Sequence, residues 1–139
     1  MSMICRLTIL TVLVWGLGVP ASAQSIEQRW RDGLDGARLA AYAGSNITSN
    51  STLTIIEFCR GGRYRYYKEG SWSVPGQAGG ASQRVITGVW DITQYGVSTL
   101  LTYETDAGEK GAFPISLQNN GKVNIGGVAY SVERGGATC

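Results

Sequence analysis

The chain has 139 residues, twelve Lys and Arg against ten Asp and Glu, and no histidine. A balance this close to neutral leaves no broad basic footprint for nucleic acid or an anionic membrane. The missing imidazole excludes His-based acid/base chemistry, His-activated Ser or Cys nucleophiles, and His-containing zinc or iron sites.

At the start of the chain Arg6 precedes an apolar run from Leu7 to Val19, and Ala21, Ser22 and Ala23 form an A-x-A cleavage site before Gln24. The run is too short to span a bilayer, so the pattern predicts a secretory signal peptide over residues 1–23. Cys5 falls inside that leader, and no cysteine follows the cleavage site as a lipoprotein would require. The exported domain is then residues 24–139, a length that supports one hydrophobic core, with a periplasmic, secreted or surface destination. Its two cysteines, Cys59 and Cys139, form an even pair in an oxidising compartment and are expected to be a disulfide. Closing a loop of about 80 residues is worth about 4 kcal/mol in the chain-entropy treatment.

The first element is helical. Ser25 followed by Gln28 fits a capping box, and Ile26, Trp30 and Leu34 share one helical face before Gly33 and Gly36 end the helix. After Ala37 the period is two. The runs ARLAAYA, TLTIIEFC, RYRYYKEGSWSV, RVITGVWDIT, STLLTYE, GAFPISLQ, KVNI and VAYSVE are separated by Gly- and Asn-rich turn signals, including a loop over Val74 to Gln83 and another over Gly44 to Thr52. Eight strands joined in order by short connections predict an all-β antiparallel meander that closes into a small barrel, removing its edges.

Alternation assigns the faces. In FCRGGRYRYY, with Phe58 inward, Tyr64 and Tyr66 point inward while Arg63, Arg65 and Cys59 point outward. The stretch is therefore a hairpin and not a stacking platform for bases, because rings and cations lie on opposite sides of the sheet. The same parity places Gly88, Trp90 and Ile92, Leu101 and Tyr103, Phe113, Ile115 and Leu117, and Val128, Tyr130 and Val132 inside. Cys139 ends a Gly-rich tail without strand pattern, so the cystine should hold that tail against the outer wall.

The order of LDG, TIIEFCRGGRYRYY, TGVWDIT, LLTYETDAG, FPISLQNNGKVNI and GGVAYSV resembles small bacterial lipocalin-like domains of the calycin type, from about Leu34 to Val132. Lipocalins proper carry Gly-x-Trp on the first strand, whereas Gly88, Val89 and Trp90 lie mid-chain here. A tail cystine to the outer wall is similar to what many lipocalins have. The resemblance implies a barrel whose mouth accepts a small or apolar molecule.

Tyr64, Tyr66, Trp72, Trp90 and Tyr103 are the candidate lining of such a mouth, aromatic faces supplying area and hydroxyls orientation. The competing reading is a filled interior, since eight strands enclose a space that side chains alone can occupy. A second functional class is interaction with an envelope or extracellular protein through the outer loops, as an adhesion or assembly subunit or an inhibitor. Catalysis is not expected. Glu57, Asp91 and Glu104 face solvent by parity, PGQAGG lacks the Lys and Ser or Thr of a phosphate loop, and no cofactor or metal motif is present.

Overall fold

The structure, a computed structural model, describes residues 25–45, 50–74 and 78–139; the expected signal peptide lies outside them. The elements are α1 (Ile26–Leu34), β1 (Arg38–Ser45), β2 (Asn50–Phe58), β3 (Arg63–Val74), β4 (Ala78–Tyr95), β5 (Ser98–Thr105), β6 (Lys110–Leu117), β7 (Val123–Ile125) and β8 (Val128–Glu133). Each strand pairs antiparallel with the next, and β1 pairs with β8 to close the barrel. The FCRGGRYRYY turn is the expected hairpin: Gly61 and Gly62 supply φ of 86° and 82°, and the Cys59 N–H donates to the Arg63 carbonyl at 2.8 Å.

Ser25 caps α1, its hydroxyl accepting from the Gln28 N–H at 3.1 Å. The reciprocal half of the capping box does not form, because the Gln28 amide donates instead to Asp32 at 2.7 Å. Leu34 is buried and Trp30 packs against the core, while Ile26 is exposed. Gly33 does not end the helix, which runs on to Leu34. Its first turns lie against β4, with Glu27 at Gln94, and its end leads into β1, three strands round the barrel, so it lies across one end of the cylinder.

A polar clasp fixes it there. The Arg31 Nε donates to Asp91 Oδ1 at 2.7 Å and its Nη2 donates to the Ile92 carbonyl at 2.9 Å, while Glu27 accepts from the Gln94 N–H at 2.9 Å. Burial opposes ionisation of Asp91, but the Arg31 hydrogen bond and the Ile92 N–H outweigh it and hold the carboxyl below its usual 3.8. A carboxylate whose pKa falls on folding stabilises the fold above its unfolded pKa and stops doing so as pH drops through the folded one. Amide protection of α1, followed by NMR hydrogen exchange, should therefore hold steady down to about pH 4 and decline below it. Asp91→Asn should show reduced protection at neutral pH and no acid step.

The tail crosses the outer wall as expected. Cys139 is bonded to Cys59 with Cα atoms 5.3 Å apart, and the Ala137 N–H donates to the Gly36 carbonyl at 3.1 Å. One expectation changes in consequence. Glu57 does point outward, but it is only 6 % exposed, because the Thr138 N–H and hydroxyl donate to it at 3.3 and 3.0 Å and the tail covers it. An outward side chain is solvated only if nothing later in the chain returns over it.

The strands differ in length, and this gives the barrel a tall side and a short side. β4 reaches back to Ala78, so ASQ and the glycines before it are strand and not loop; they pair with the far end of β3 through Gly70↔Ser82 and Trp72↔Gly80. Backbone pairing makes no demand on side-chain size, which is why a Gly-rich stretch can extend a ladder already begun by larger residues. β5 meets β4 only from Gly88 downward, and β8 meets β1 only over Arg38 to Ala40. The sheet of β1 to β4 thus stands above the rim made by β5 to β8, at the end opposite α1.

Candidate ligand cavity

The core divides into a packed floor and an open upper part. Leu34, Leu39, Phe58 and Ile92 are almost fully buried at the helix end. Phe58 meets Trp90 edge to face, with ring centroids 5.0 Å apart and planes at 73°. Above this layer lies a cavity of about 410 Å³, walled by Ile56, Tyr64, Tyr66, Trp90, Tyr103 and Tyr130 and rimmed by Arg84, Glu109, Phe113 and Val128.

Why is this space not filled by its own side chains? Two inward positions on the wall are glycine, and each lies beneath a tyrosine. Tyr64 is the cross-strand partner of Gly88, and a Cβ on Gly88 would come within 2.8 Å of the Tyr64 ring. Tyr103 is the partner of Gly111, whose own Cβ would overlap the Tyr103 ring. Rings laid flat over glycine occupy the wall and leave the axis open. They also order one another: Tyr64 and Tyr103 meet edge to face at 6.3 Å, and Tyr103 stacks on Phe113 at 5.6 Å with planes 13° apart.

The polar atoms at the wall are sparse. Burial, then the neighbouring Tyr103, raises the Tyr64 pKa, and burial, then the nearby Tyr66, raises that of Tyr130, so both phenols stay protonated at neutral pH. Trp90 is 9 % exposed, and its indole N–H has no hydrogen-bond partner among the described residues. No described group of three or more Cys, Asp or Glu could hold a metal ion, and no described helix is long and apolar enough to cross a membrane.

The structure brings four of the five sequence candidates, Tyr64, Tyr66, Trp90 and Tyr103, to one cavity. The fifth, Trp72, belongs to β3, but its side chain lies outside the described residues. Phe113 and Val128 do face the lumen, yet they are 45 and 46 % exposed because they stand at its rim, while Leu117 is 68 % exposed at the opposite end. Parity gives the face of a residue but not its height in a cylinder, and at either end an inward side chain meets water. Sequence reasoning missed Arg84 and Glu109. Arg84 has the parity of Ile86 and Gly88, and that alternation is the signal that finds it; Glu109 sits in the β5–β6 turn, where alternation says nothing. Comparison with family models, with curated proteins and with solved structures finds no match for this chain.

Proposed function

We propose that this protein is an exported, non-catalytic binding module of lipocalin-like type that takes a small apolar molecule into the barrel mouth. One observation carries the reading: a cavity of about 410 Å³ lined almost wholly by aromatic and aliphatic side chains, within the 300–1,000 Å³ typical of small-molecule sites. A barrel of this strand number can fill itself, and here glycines at two tyrosine-bearing rungs favour an open space instead. Export is supported by the leader pattern together with the Cys59–Cys139 bond, which suits an oxidising compartment.

The test is titration of the full chain, expressed with its leader, with N-phenylnaphthylamine, a neutral apolar fluorophore. Saturable binding at one site is expected. Ile86→Trp places a larger side chain in the cavity and should weaken that binding at least about tenfold with little change in melting temperature. Absence of binding to the parent chain would remove the reading.

A second reading, docking of an envelope or extracellular protein, is favoured by one feature. The edge of β4 over residues 78–86 extends past β5 and has no described strand on that side, and such an edge can accept an added strand. Capture of an envelope protein that saturating N-phenylnaphthylamine fails to displace would support this alternative.

A further inference from the structure

The tall side of the barrel carries charge where a purely apolar site would have none. On its inner face Lys68 and Arg84 are direct cross-strand partners, one rung above Tyr66 and Ile86. Side chains so paired stand about 5 Å apart at Cβ, and like charges there repel. The inner face of β1 and β2 at this height holds Ala41, Ala43, Thr52 and Thr54, and no carboxylate. Neither Lys68 nor Arg84 has an ion pair among the described residues; the outward cations Arg63 and Arg65, by contrast, have Asp106 and Glu57. Glu109, in the β5–β6 turn, is the one described carboxylate lining the cavity, and it forms no ion pair with either cation. Arg84 thus lines the cavity, and Lys68 is its cross-strand neighbour on the same face, a like-charged rung with no ion pair among the described residues.

Resting on the cavity reading above, we infer that the ligand is a planar aromatic carboxylate of one or two rings, its rings among Tyr64, Trp90 and Tyr103 and its carboxylate at Arg84 and Lys68. The body follows from the wall: flat rings offer face and edge contacts to a flat guest. The size follows from the volume, which is at the small end for ligand sites. The head follows from the rung, since an anion between Lys68 and Arg84 relieves their repulsion, and a guanidinium binds a carboxylate through two parallel N–H bonds.

Three naphthalene probes of one shape separate the possibilities: naphthoate, naphthalenemethanol and naphthylmethylammonium, each measured by equilibrium dialysis with the full chain. Naphthoate should bind about tenfold more tightly than the neutral alcohol, and the ammonium more weakly than either. Arg84→Gln and Lys68→Gln should each cut naphthoate affinity about threefold, and together remove the preference, leaving the alcohol unchanged. Both side chains are exposed, so circular dichroism of the variants should match the parent. Equal affinity for naphthoate and the alcohol, or preference for the ammonium, overturns the carboxylate assignment while leaving the apolar cavity standing. If none of the three binds and N-phenylnaphthylamine also fails, the cavity reading falls with it.

Discussion

Trp90→Ala is expected to destabilise the protein by about 3 to 5 kcal/mol, the range for truncating a large buried aromatic. Trp90 forms the boundary between the packed floor and the cavity, its ring meeting Phe58 edge to face with centroids 5.0 Å apart. Two features push the cost toward the lower end. The site already borders empty space, and the substitution removes an indole N–H left without a partner, whose burial itself costs about 1 kcal/mol or more. Chemical denaturation read by far-ultraviolet circular dichroism measures the change. Arg65→Ala, three rungs of the same ladder away on the outer wall, should cost at most about 1 kcal/mol, because its ion pair to Glu57 is long, 3.8 Å, and its side chain is half exposed. Comparable losses for the two variants would mean that inside and outside had been exchanged.

Gly88→Ala should be as damaging, by at least about 3 kcal/mol, though it adds only one methyl group. The new Cβ would collide with the Glu104 carbonyl, a backbone group that cannot swing aside, and would come within 2.8 Å of the Tyr64 ring. Relief requires β4 and β5 to separate where they first meet, at Gly88↔Thr105, and the Tyr64 ring to leave the wall. The melting temperature should fall by roughly 10 °C or more for a domain of this size. Gly33→Ala provides the contrast. Gly33 lies in α1 with nothing within 4 Å of its would-be Cβ, so alanine there should stabilise by about 0.5 kcal/mol through helix propensity alone.

Much of the barrel was legible because strand geometry alternates strictly. Ile56 and Phe58, Tyr64 and Tyr66, Trp90 and Ile92, and Leu101 and Tyr103 all face the lumen as a period of two requires. The hairpin at Gly61 and Gly62 and the cap at Ser25 are local features, decided within a few residues, and they too were readable. Glu57 was not. Its burial depends on Thr138, 81 residues later, returning over the wall. Arg84 was legible in principle, since it continues the inward parity of Ile86, but its pairing with Lys68 follows from the β3–β4 register, which turn chemistry near Pro75 did not reveal.

The order of polar and apolar residues by itself determined the architecture: one short helix, eight strands in a meander, aromatic rings inward, and a cystine holding the tail outside. Those outcomes rest on short-range alternation and on the pairing of the two cysteines. Whether the interior is solid or hollow was decided only in three dimensions. It depends on which residue lies across from each ring, and a shift of register would set Tyr64 and Tyr103 against side chains and not against Gly88 and Gly111. The unequal heights of the strands, which place Lys68 and Arg84 above an open mouth, likewise arise from how far each ladder continues, a property of the paired strands and of no single one.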